Sequence, residues 1–131
     1  MSILGLTFNQ SNMNVICCTE QGYIIYKLHP DLEKIIYSDL NGGVNFMKNF
    51  QKSNISIVNG GGDKPFKSKD VLILYDQLKK TNLIEIDMKE QIKNAFIIKD
   101  RIITVLEKKV CIFDWQGILI ESKLSYSNEK G

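Results

Sequence analysis

The chain is poor in the residue types that most site chemistry uses. Its 131 residues include one histidine, His29, one arginine, Arg101, one tryptophan, two prolines and three cysteines. His29 precedes Pro30 and has no carboxylate–nucleophile pattern around it, so no catalytic residue is assigned. Cys17 and Cys18 are adjacent and fall on opposite faces of a strand, and Cys111 lies in an apolar run. No metal-ligand or redox spacing links them, so they read as reduced core cysteines of a cytosolic protein, with no metal and no cofactor. A lone arginine leaves almost no bidentate phosphate reader. The net charge of +2 is too small for a nucleic-acid surface. No apolar run approaches the roughly 18–20 residues that cross a bilayer, and Met1 leads directly into a strand pattern. Neither a spanning helix nor a signal peptide is expected; membrane contact would be peripheral.

What the chain does have is repetition. Ile24-Ile25-Tyr26-Lys27, Ile73-Leu74-Tyr75-Asp76 and Cys111-Ile112-Phe113-Asp114 are the same strand end written three times. Tyr26, Tyr75 and Phe113 are 49 and 38 residues apart, around the roughly 40–45-residue period of a four-stranded propeller blade. The apolar runs are short, rich in β-branched residues and bounded by turn chemistry, with no convincing helix. The expected fold is all-β: antiparallel four-stranded blades, three of them present. About 4–8 blades close a ring, so three make an incomplete propeller.

The first repeat reads as strands at 4–8, 15–19, 23–28 and 35–40. The second reads 46–50, 55–58, 71–76 and 83–88, and the third 95–98, 102–106, 110–113 and 118–122. Blade boundaries are set at 1–43, 44–89 and 90–124, with 125–131 as a linker toward a further blade. The second repeat carries an insertion, Asn59–Lys69, where the third has only Glu107-Lys108-Lys109. Long loops within compact repeats are disproportionately functional. This one holds Gly60-Gly61-Gly62 and then Lys64, Lys67 and Lys69, a docking surface for an acidic partner or a solvated loop. It is not a P-loop, since Lys64 precedes a proline and no helix pattern follows. Asp76 and Asp114 stand where a WD-type repeat has its Asp and are expected to bond nearby backbone amides. The pattern leaves Trp115 undecided between core and surface.

Three segments together resemble the PROPPIN family, the WIPI-type propellers of autophagy. They are Leu6-Thr7-Phe8-Asn9-Gln10 with Gly22-Tyr23-Ile24-Ile25-Tyr26, Val58 to Pro65 leading into Val71–Asp76, and Asp100 to Glu107 followed by Val110-Cys111-Ile112-Phe113. The closing Asn128-Glu129-Lys130-Gly131 is similar to that family's Asn-Pro-Lys-Gly. The resemblance implies the first three blades of a seven-bladed propeller that binds phosphatidylinositol 3-phosphate and 3,5-bisphosphate membranes. The family's lipid signature, Phe-Arg-Arg-Gly, is absent here, so lipid binding would belong to a complete protein and this segment would dock autophagy proteins, a lipid-transfer or conjugation-machinery partner. By the same resemblance Asn9, Gln10, Ser11, Lys64, Lys67, Lys69 and Arg101 are the partner-binding candidates; Ser11 replaces an acid of the related branch. The implied location is cytoplasmic, peripheral on autophagic or endosomal and vacuolar membranes. The rival reading is a WD-repeat-like interaction scaffold without lipid binding. Open blade faces lead to one further expectation, that the isolated chain self-associates.

Overall fold

The computed structural model describes residues 3–9, 14–28, 31–49, 55–99, 101–114 and 116–124, and among these there is no helix. Twelve strands follow one another: β1 (Ile3–Asn9), β2 (Asn14–Thr19), β3 (Gly22–Lys27), β4 (Glu33–Asp39), β5 (Val44–Asn49), β6 (Ile55–Gly60), β7 (Val71–Asp76), β8 (Thr81–Asp87), β9 (Asn94–Ile98), β10 (Arg101–Val105), β11 (Lys109–Phe113) and β12 (Leu119–Leu124). They form three antiparallel four-stranded sheets, each a meander in chain order: β1–β4, β5–β8 and β9–β12. The all-β reading and every expected strand are present. His29, Trp115 and residues 125–131 lie outside the described residues.

Several strand ends differ from the sequence reading by one or two residues, and two of these differences have a clear cause. Asn59 and Gly60 belong to β6 rather than to the inserted loop, and Thr81 and Asn82 begin β8 rather than closing a turn. The reason in the first case is pairing: Asn59 sits opposite Phe46 and Leu72, and Gly60 opposite Val44. Polar and glycine residues looked like loop, but the ladder runs through them. In the second, the chain turns earlier, across Gln77–Lys80, because Asp76 Oδ1 accepts from the amides of Leu78 and Lys79 at 2.9 and 3.2 Å. Asp114 Oδ1 does the same for Gln116 and Ile118 at 2.9 and 3.0 Å, as expected of these two aspartates.

Two cores lie between the three sheets. The first joins Ile16, Cys18, Tyr23 and Ile25 of sheet 1 to Val44, Met47, Val58, Ile73 and Tyr75 of sheet 2. The second joins Phe46, Ile57, Leu72 and Leu74 of sheet 2 to Ala95, Ile102, Cys111 and Phe113 of sheet 3. Along β7, Ile73 and Tyr75 therefore face one way and Leu72 and Leu74 the other, the two-residue alternation of a strand buried on both sides. Tyr23 and Tyr75 meet edge to face with centroids 6.0 Å apart, and the Tyr23 hydroxyl donates to that of Tyr75 at 3.3 Å. Burial, and then that contact, raise the Tyr23 phenol above its usual range. Lys48 crosses from β5 to cap β9, donating to Ala95 O at 2.6 Å and Asn94 Oδ1 at 3.1 Å while lying over the Phe96 ring. β9 is an edge strand, so the lysine satisfies a carbonyl that no neighbouring strand reaches. Partial burial lowers the Lys48 pKa.

Cys17, Cys18 and Cys111 are free and buried, as the sequence implied. Burial first, and then the neighbouring Cys17, push the Cys18 thiol from 9.0 to about 12. A group with a raised folded pKa stabilises the fold fully below its unfolded value, and that contribution is lost as pH climbs toward the folded one. The denaturant midpoint is therefore expected to fall between pH 9.0 and about 12, with Cys18→Ala flattening part of the slope. An equally steep fall in Cys18→Ala would remove Cys18 as a cause. A second outcome concerns the close approach at Gly60, where an added Cβ would stand 2.0 Å from the Lys67 carbonyl oxygen. Gly60→Ala is expected to cost about 1–3 kcal/mol in chemical denaturation, the scale of overpacking.

Candidate functional site

The inserted loop, residues 61–70, is folded back on sheet 2 and held along its length. Gly43 anchors its middle, donating to Lys64 O at 2.8 Å and accepting from the amides of Gly61 and Phe66, both at 3.1 Å. Glycine is required at Gly43 because an added Cβ would lie 2.2 Å from Gly61 O. Asn59 anchors its far end. Its side-chain amide donates to Lys69 O at 3.1 Å and Val71 O at 3.0 Å, and its Oδ1 accepts from Asn45 Nδ2 at 3.0 Å. The Ile92 amide also donates to Lys69 O, at 3.1 Å, which ties the loop to the entry of sheet 3. Phe66 packs on the core between sheets 1 and 2. Fully buried Asn59 is thus the main pin of the loop, and sequence reading missed it by assigning it to the loop. The available signal was a single amide at the end of an apolar strand that leads into glycines.

This arrangement presents three lysines in different states. Lys64 is exposed, with its backbone held by Gly43. Lys67 is ion-paired to Glu85 of β8 at 3.4 Å, a half-exposed contact of the kind worth little in stability. Lys69 lines an open polar recess of about 90 Å³ with Asn45, Gly60, Gly61, Gly62 and Gln91. That volume suits a carboxylate or a few waters rather than a nucleotide. Glu20 lies beside Gly62, and Asp63 is exposed, so the rim alternates in sign.

The other candidates are elsewhere. Asn9 ends β1, paired with Asn14; its side chain, and Gln10 and Ser11 altogether, lie outside what is described. Leu4, near the start of β1, touches Gly43 and Gly62, so Asn9 is five residues further along the strand, roughly 17 Å at the strand rise. Arg101 opens β10 opposite Ile98, whereas Lys69 contacts Ile92, just ahead of β9, beside the end where Val105 pairs with Asn94. Arg101 is exposed. The proposed docking set is therefore split. Lys64, Lys67 and Lys69 occupy one rim of the stacked sheets, and Asn9 and Arg101 the opposite rim. Among the described residues no group of three or more His, Cys, Asp or Glu side chains could hold a metal.

No family model matches the chain. Among curated proteins it is 29% identical over 133 residues to SVP1-like protein 2 of Pichia angusta, covering 99% of this chain and 37% of that protein. It is 25% identical over 114 residues to Autophagy-related protein 18 of Candida glabrata, covering 87% of this chain and 22% of that one. Among solved structures, Hsv2 of Kluyveromyces lactis superposes with a TM-score of 0.79 at 19% identity, over 97% of this chain and 38% of that chain. KlAtg21, solved in complex with the coiled coil of AgAtg16, gives 0.72 at 19% identity, over 98% and 41%. The chain thus spans between about a fifth and two fifths of these relatives. Over nearly its whole length, it is similar to proteins of the PROPPIN family and has their propeller fold.

Proposed function

We propose that this chain is the N-terminal, three-blade part of a non-enzymatic propeller scaffold that brings autophagy-type machinery to phosphoinositide-marked membranes, and that its own share of the work is protein docking. The observation that carries the reading is the pinned loop: Gly43 holds its backbone at Lys64 and Phe66 and Asn59 holds it at Lys69, while Lys67 is paired to Glu85, so the three lysines share one rim. A preorganised loop loses little entropy on binding. Similarity to Atg21, solved with a coiled coil, supports a protein partner. The alternating rim charges suit an acidic segment that displaces Glu85 from Lys67. With Arg101 the only arginine, a paired-arginine grip on a headgroup would come from blades beyond these residues in a longer protein. Two weak contacts, one to lipid and one to protein, then raise residence on the correct membrane through effective concentration. The place of action is the cytoplasmic surface of autophagic, endosomal or vacuolar membranes.

In the complete protein, Lys67→Glu with Lys69→Glu is expected to lower capture of the partner coiled coil by about tenfold or more, the effect of reversing interfacial charges. Binding to vesicles containing phosphatidylinositol 3-phosphate is expected to stay within error. Unchanged capture in a quantitative pull-down would refute docking at this rim, and loss of vesicle binding would refute the division of labour.

A further inference from the structure

The three sheets stack in one sense. Each turns a front face to the next sheet in the chain and a back face to the one before. The repeated positions show this residue by residue. Tyr75 and Phe113, on the backs of sheets 2 and 3, are 2% and 5% exposed, whereas Tyr26, the same position on sheet 1, is only half-buried. On the fronts, Ile25 and Leu74 are both 2% exposed, while the equivalent Ile112 of sheet 3 is half-buried. At these two positions the side chain is buried where a neighbouring sheet exists and half-buried where none does, while Ile24 and Cys17, near the middle of the same open back, are 9% and 8% exposed. One back and one front are left over. The back of sheet 1 carries Leu6, Phe8 and Tyr37, all exposed. The front of sheet 3 carries exposed Phe96 and Ile98 beside half-buried Ile103 and Val110.

We propose that two free-standing copies of this chain close into a ring of about six blades, within the 4–8 that close, with the front of sheet 3 in each copy seated on the back of sheet 1 in the other. The occupant of each open face is a second copy because the surface it needs is already on the molecule. Front-on-back packing of these same repeat positions makes both internal interfaces, and the leftover pair is one of each kind. Such a contact is heterologous, so it either closes or propagates, and two three-sheet copies bring the count into the closing range. At the new junction Tyr26 takes the place that Tyr75 and Phe113 hold inside the chain. In a longer polypeptide the same two faces would receive that polypeptide's own further blades. The inference stands on the stacking rule alone, so its failure leaves the docking role untouched.

Light scattering of the 131-residue chain tests it, together with Leu6→Glu on the open back and Ile98→Lys on the open front. These side chains are 64% and 55% exposed, so neither substitution enters a core. Wild type is expected at twice the chain's 15.0 kDa and each variant at 15.0 kDa, with unchanged circular dichroism. An equimolar mixture of the two variants is expected to recover the doubled mass, because the mixed pair keeps one undamaged junction. A monomeric wild type, a polydisperse series of masses, or Leu6→Glu remaining double while Ile98→Lys becomes single would each overturn the ring. Should either variant lose its fold, Phe8→Glu and Ile103→Lys probe the same two faces.

Discussion

A four-stranded sheet that is apolar on both faces cannot be stable by itself, and everything else in this structure follows from that constraint. Sheet 2 meets it on both sides, and its strands β6 and β7 are buried almost end to end. Fully burying side chains such as Ile57, Leu72, Leu74 and Ile73 is worth about 1.5–3 kcal/mol each. Sheets 1 and 3 meet the constraint on one side only. In sheet 3 the strands accordingly alternate between buried and open positions, as in β10 and β11, whereas β2 and β3 of sheet 1 keep buried runs at residues 16–19 and 22–25.

The two interfaces solve the same packing problem with different chemistry. Between sheets 1 and 2 the polar tips of two tyrosines satisfy each other inside the core, so large rings can be used without stranding a hydroxyl. Between sheets 2 and 3 a core without a buried hydroxyl pair, built on Phe46, Phe113 and aliphatic side chains, is closed at the strand edge by Lys48, whose stem packs while its ammonium caps β9. At one end of sheet 2, Asn49, Ser56 and Gln77 satisfy one another. At the other end Asn59 supports the inserted loop. Among the described residues no buried side-chain nitrogen or oxygen is left without a partner.

Much of the fold was legible because Tyr26, Tyr75 and Phe113 recur at blade spacing, and short apolar runs between turn residues could be little else than strands. Asp76 and Asp114 were legible for the same reason: a short carboxylate after a strand bonds the next amides. The candidate site was less legible. Asn59 looked like loop because asparagine is rare in strands, and its role depends on Asn45, Lys69 and Val71, which only folding brings to it. Nor does a linear sequence say which end of a blade a residue occupies. Lys67, Lys69, Asn9 and Arg101 formed one list in the sequence, and the antiparallel meander assigns them to opposite rims.

Stability here comes from sheets stacked on sheets, with sheet 2 clamped and the outer strands least supported. Residue-resolved amide hydrogen exchange tests it most directly, because protection reports local opening free energy. The slowest exchange is expected in β6 and β7, and the fastest among the twelve strands in the outer strands β4 and β12. Equal protection across all three sheets, or maximal protection in β12, would contradict it.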